Sequence, residues 1–163
     1  MSKKIIGMLR SKYLNEKYKI ENAYVFSNVF ESDFTVLRNN GYYMEFEVKI
    51  SRADFFADFR KKEKHEILRL RKANQPKYKM PNKFWFVVPD GLIKTDEIPE
   101  YAGLIYCSAY DIEIIKEAPF LHKEKLDLSS TLVQRFYDRW INERIENHKL
   151  RMSIDYLKSK ATI

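Results

Sequence analysis

Asp33, Glu47 and Lys49 are the residues of this 163-residue chain whose types and spacing could do chemistry. They lie in two alternating runs, residues 31–38 and 42–50, that flank Asn39-Asn40-Gly41, a turn sequence. Successive side chains of a strand point to opposite faces. One face of the expected hairpin therefore carries Phe34, Val36, Met44, Phe46 and Val48, and the other carries Asp33, Thr35, Glu45, Glu47 and Lys49. With Gly41 in the left-handed position of a three-residue loop, Phe34 falls opposite Phe46 and Val36 opposite Met44. The same register sets Asp33 opposite Glu47 and Glu31 opposite Lys49. A one-residue slip would put Phe34 against Glu47 and mix the faces, so the hydrophobic pattern disfavours it. Directly opposed carboxylates repel, and a divalent cation would relieve them. Mg²⁺ is bound by one or two carboxylates together with water and phosphate oxygens. Lys49, beside that ion, would stabilise a developing phosphorane charge or hold the attacking water. The competing reading is a solvated charged face, because an acid-x-Lys triplet is a short motif.

The elements that must position these groups follow from periodicity. Residues 2–14 read as a short amphipathic helix with Ile5, Ile6, Met8 and Leu9 at helical spacing, and Ala23–Phe26 as a short strand before the hairpin. Ser51 caps a second helix, with Asp54 three residues on. That helix runs to about Lys72, and its middle, Arg60–Glu66, lacks any apolar residue and is expected to face solvent. Lys61, Lys62, Lys64, His65, Arg69 and Lys72, with Ser51 and Arg52 at its start, are candidate nucleic-acid contacts; a merely solvated face is the alternative. Lys83–Val88 is nearly continuously apolar, as a strand buried on both faces should be. Residues 102–106 and 112–115 form an edge hairpin. Residues 128–158 form a C-terminal helix whose stripe of Leu132, Val133, Phe136, Tyr137, Trp140, Ile141 and Ile145 reads as core, or as the seam of a homodimer.

The length suits one domain, residues 1–163, large enough to bury a core without staples. A net charge of +7 points to a polyanionic partner, nucleic acid before an anionic membrane. Cys107 is the only cysteine, which excludes a disulfide framework within the chain and suits a reducing, cytoplasmic setting. No signal-peptide core precedes the first helix, and no apolar run is long enough to span a bilayer.

The order helix, three strands, helix, strand, with an acid on the second strand and Glu-x-Lys on the third, resembles the PD-(D/E)XK, or restriction-endonuclease-like, nuclease superfamily. Within that frame, Glu47-Val48-Lys49-Ile50-Ser51-Arg52-Ala53-Asp54-Phe55-Phe56-Ala57-Asp58 is similar to the MmcB-like DNA repair family and to related small phage-encoded proteins. So are Asn82-Lys83-Phe84-Trp85-Phe86-Val87-Val88-Pro89-Asp90-Gly91-Leu92 and Tyr101-Ala102-Gly103-Leu104-Ile105, so that the likeness spans about residues 20–125. The resemblance implies an α/β fold: a restriction-endonuclease-like αβββαβ core with a mixed central sheet, an added edge hairpin and a C-terminal helix. It implies a Mg²⁺-dependent deoxyribonuclease, with Mn²⁺ able to substitute and DNA as partner, acting in repair, recombination or phage DNA processing. Asp33, Glu47 and the Val48 carbonyl would hold the metal, Lys49 would position or activate the water, and Glu31 and Glu45 would be accessory acids. Two departures stand out. Ser32 replaces the family's Pro or Gly before the acid, and no acid on the first helix matches a second metal site. A long basic insertion, residues 63–80, also precedes the buried strand. The alternative on the same fold is a catalytically silent nucleic-acid-binding or protein-interaction module.

Overall fold

Six strands form one mixed sheet in chain order, β1 (Tyr18–Ala23), β2 (Ser32–Leu37), β3 (Tyr43–Val48), β4 (Lys83–Pro89), β5 (Ala102–Cys107) and β6 (Ile112–Lys116). The computed structural model describes residues 1–26, 30–60, 62–70 and 79–161, with Lys62 and Ala161 described by backbone alone. β1, β2 and β3 are antiparallel, β3, β4 and β5 are parallel, and β6 returns antiparallel on the edge. Helix α1 (Ser2–Lys12) precedes the sheet, α2 (Arg52–Asp58) and α3 (Lys62–Leu70) cross over from β3 to β4, and α4 (Ser129–Ala161) ends the chain. The chain divides into two compact units, Met1–Asp127 and Leu128–Ile163. The fold is thus α/β, with a mixed open sheet and a C-terminal helix.

The β2–β3 hairpin has the register that the apolar pattern demands, with Phe34 opposite Phe46 and Val36 opposite Met44. Gly41 takes φ +86° in the turn, a conformation that costs glycine little, and Arg38 and Tyr42 close the loop. The apolar face packs under α1, where Ile5, Ile6 and Leu9 meet Phe34, Phe46 and Trp85. The opposite face of the sheet packs Phe84 and Phe86 against Phe55 of α2 and Leu68 of α3. Both faces are covered, and all six residues of β3 are buried, charged ones included.

Asn82 ties the start of the parallel strands together. Its Oδ1 accepts from the Tyr43 N–H at 2.8 Å, and its Nδ2 donates to the Glu124 carbonyl at 2.7 Å. Its own backbone N–H donates to the Tyr43 carbonyl at 2.9 Å. The Trp85 indole lies over Gly103, its partner on β5.

Three expectations change. The first strand is Tyr18–Ala23, earlier than residues 23–26. The helix expected from Ser51 to about Lys72 is two helices, with α2 capped at Phe59. The α4 stripe is core at Leu132, 4% exposed, but not beyond it: Val133, Tyr137 and Trp140 are 69%, 56% and 52% exposed. Among the described residues, no helix is long and apolar enough to cross a membrane.

Candidate functional site

Strand alternation sends Glu45, Glu47 and then Lys49 to the face under α2 and α3, and those helices enclose them. Glu45, Glu47 and Lys49 are all buried. Lys49 Nζ lies 2.9 Å from Glu47 Oε1 and 2.9 Å from Asp58 Oδ1 at the end of α2. Lys64, on α3, reaches into the same face and lies 2.8 Å from Glu45 Oε1 and 3.0 Å from Glu47 Oε2. Two ammonium groups therefore interleave three carboxylates, as burial of charge requires.

His65 completes the cluster. Its Nε2 is 3.0 Å from Asp58 Oδ2 and 3.2 Å from the Asp58 carbonyl. Both partners only accept, so Nε2 carries the proton and donates. Nδ1 lies 2.8 Å from the Tyr101 hydroxyl. The break between α2 and α3 has its local reason here. The chain turns after Asp58, and His65 of α3 returns to the Asp58 carbonyl and carboxylate at the end of α2.

Asp33 stands at the edge of this cluster. Its Oδ2 accepts from the Val48 N–H at 2.7 Å, which fixes the carboxyl beside Glu47 and Lys49. Burial and then the Glu47 charge push its pKa up to about 6, against the Val48 hydrogen bond and the two lysines. Burial also raises Glu45, with Lys64 opposing. For the lysines, burial works toward the neutral amine but loses. Glu47 and Asp58 hold Lys49 above its ordinary range, and Glu45 and Glu47 do the same for Lys64. Both are ammonium ions at neutral pH.

Several expected site residues lie elsewhere. Lys64 and His65, expected to touch phosphate on an open helix, are buried at 5% and 7% exposure and engaged with carboxylates. Glu31 is exposed ahead of β2, and Lys49 bridges Glu47 and Asp58 instead of meeting it. Glu45 is an ion-pair partner of Lys64. Ser51 caps α2 by accepting from the Asp54 N–H at 3.1 Å. Arg52 is exposed and pairs with Glu97. Arg69 is exposed on the last turn of α3. Lys61, Lys72 and the Lys62 side chain lie outside the described residues.

Asp58 and Tyr101 are members of the cluster that no spacing rule singled out. Lys64 did leave a signal, since it precedes Leu68 by four residues and so shares its inward helical face. Among the described residues, no group of three or more His, Cys, Asp or Glu side chains could by itself hold a metal ion. Asp33 and Glu47 meet the smaller requirement of Mg²⁺, one or two carboxylates completed by water and phosphate oxygens. For Glu47 to bind it, the ion must displace an ammonium.

No family model and no curated protein matches the chain. A solved structure resembles it: the SPO1766 protein of unknown function from Silicibacter pomeroyi. The two share a TM-score of 0.54 and 23% identity over 77% of this chain and 75% of that one. That likeness is one of fold.

Proposed function

We propose that the unit Met1–Asp127 is a restriction-endonuclease-like, metal-dependent deoxyribonuclease. The observation that carries this reading is the Asp33 carboxyl, held by the Val48 N–H and raised by the nearby Glu47 charge. Every other buried carboxylate of the cluster has an ammonium or imidazole partner, whereas Asp33 holds only a backbone N–H among the described residues, and its pKa rises to about 6. Strongly perturbed acids of this kind concentrate at functional sites. A divalent cation placed between Asp33 and Glu47 removes the repulsion that raises Asp33.

Asp33 and Glu47 would hold Mg²⁺ or Mn²⁺, which when bound supplies Lewis-acid neutralisation of phosphate charge and an acidified water. Lys49 is protonated, so it cannot take a proton from that water. Its role in this reading is a fixed cation, held by Asp58, that stabilises charge developing on the phosphoryl group. His65, its Nδ1 bonded to the Tyr101 hydroxyl, holds Asp58 through Nε2 and so positions Lys49 at one remove.

One observation favours the alternative, a silent binding module. Both oxygens of Glu47 already face lysines, Oε1 Lys49 and Oε2 Lys64. Calorimetric titration with Mg²⁺ and Mn²⁺, paired with nicking assays on plasmid, single-stranded and branched DNA, separates the two. A nuclease binds metal and loses at least about a hundredfold in rate on Asp33→Asn, the scale of losing one charge-stabilising group. Metal binding absent in wild type, or cleavage unchanged in Asp33→Asn and Lys49→Met, rejects the nuclease.

A further inference from the structure

On the α1 face of the sheet, away from the Asp33 cluster, the start of β4 borders a cavity of about 240 Å³. Tyr42, Met44, Ile114 and Phe120 give it apolar walls, and Tyr13, Arg38, Lys83 and Trp85 give it polar groups. Among the described residues, Trp85 Nε1 is the one buried side-chain nitrogen or oxygen without a hydrogen-bond partner. An indole N–H can only donate, and a buried donor left unpaired is costly. The indole edge that carries Cε3 and Cζ3 is packed where a Cβ of Gly103 would stand. Nε1 is on the other long edge of the ring, turned away from Gly103.

The neighbouring polar groups are donors too. Arg38 gives its Nε to Glu16 at 2.8 Å, and its terminal nitrogens have no hydrogen bond among the described residues. Lys83 Nζ lies 5.8 Å from the centre of the Trp85 ring and 5.1 Å from that of Phe120. Its ion-pair partner, the exposed Glu117, is 3.4 Å away, long for a charge-assisted bond. Burial pushes the Tyr13 hydroxyl up to about 12, so it stays a neutral O–H that can donate. A lining with two cations and an orphan donor calls for an anion. Apolar walls call for an apolar body on it. The cavity is smaller than the roughly 300–1,000 Å³ of pockets for drug-sized ligands and larger than the roughly 150 Å³ that holds benzene. One ring with a short acidic arm is the size that fits.

We propose that this cavity binds a small aromatic carboxylate, with its ring between the apolar walls and a carboxylate oxygen accepting from the Trp85 N–H. Arg38 and Lys83 hold the charge. Nε1 is shut from bulk water, so entry requires a side chain to move. Lys83, held by ring faces and one long ion pair, is the side chain that can move, and its ammonium passes from the rings to the carboxylate. None of these residues belongs to the Asp33 cluster, so the site stands apart from the nuclease reading.

The chain has two tryptophans, each with one indole N–H signal in a ¹⁵N-correlated NMR spectrum, and Trp140→Phe leaves that of Trp85. Phenylacetate should shift this signal saturably and downfield, as an N–H that gains an acceptor does. Benzyl alcohol keeps the ring without the charge, and acetate keeps the charge without the ring. Each should bind at least about tenfold more weakly, the scale of losing a hydrogen bond to a charged group. Arg38→Met and Lys83→Met should each weaken phenylacetate by about tenfold or more, with the dispersion of the remaining spectrum showing that each variant is folded. A Trp85 signal that phenylacetate leaves in place overturns the proposal. So does acetate binding as tightly as phenylacetate, which shows an adventitious ion only, and so does phenylacetate affinity unchanged in either variant.

Discussion

Lys64 places its ammonium 2.8 Å from Glu45 and 3.0 Å from Glu47, with all three side chains buried. Removing one partner of such a network leaves uncompensated charge in a low-dielectric site. Lys64→Ala should therefore cost about 3–5 kcal/mol, read as the shift in urea midpoint, and Glu45→Gln added to it should recover part of the loss. An ordinary surface lysine would change stability by less than about 0.5 kcal/mol, so a small effect would contradict the burial. Asp33 gives the opposite sign. Its pKa, about 6 in the fold against an ordinary 3.8, means that the folded chain binds this proton more tightly than the unfolded one. That contribution to stability is complete below about pH 4 and is lost as pH rises through 6. Asp33→Asn should then raise stability above pH 6 by about 1–3 kcal/mol, with the difference vanishing below pH 4 in denaturation series. In wild type, Mg²⁺ affinity should fall as pH drops through 6, because proton and metal compete for one carboxyl. Asp33, Glu47 and Lys49 were legible in the sequence because period-two alternation fixes which strand side chains share a face. Asp58 and Tyr101 were not, because their partners come from elements whose packing no local pattern encodes. Lys64 was misread because charge outweighed its helical phase with Leu68.

The elements around the site were read with uneven success, for reasons specific to each. The β2–β3 register followed from the Gly41 turn together with apolar matching, and β4 from its continuous apolar run, since these signals are local. The division of α2 from α3 had no such signal. It depends on His65 returning to the Asp58 carbonyl, a tertiary contact that overrides the continuity of helix-forming residues between them. The fit of β4 on β5 is equally tertiary. A Cβ at Gly103 would come within 2.4 Å of Trp85 Cε3 and 2.7 Å of the Ala118 backbone nitrogen. The indole is 1% exposed and stacks on Phe46, and the nitrogen is main chain, so neither gives way cheaply. Gly103→Ala should destabilise by about 1–3 kcal/mol or more, seen in thermal unfolding. Unchanged stability would show that Trp85 has another low-energy position.

At the scale of the molecule, the two units should differ in how they unfold. The sheet unit encloses its apolar residues on both faces and needs no partner for that core. Residues 142–160 of α4 are exposed within one chain, so a partner copy that covered them would make the stability of this unit depend on concentration. A chain whose two units unfold separately is not two-state. With such a copy, scanning calorimetry should resolve a transition for Leu128–Ile163 that moves up with protein concentration and a sheet transition that does not. Leu150→Glu with Ile154→Glu should abolish the moving transition and reduce helical circular dichroism, while Lys64→Ala should lower only the other. One transition, independent of concentration and shifted by both sets of substitutions, would mean that the helix is stabilised by its own chain. The exposed leucines and aromatics of α4 would then need another account.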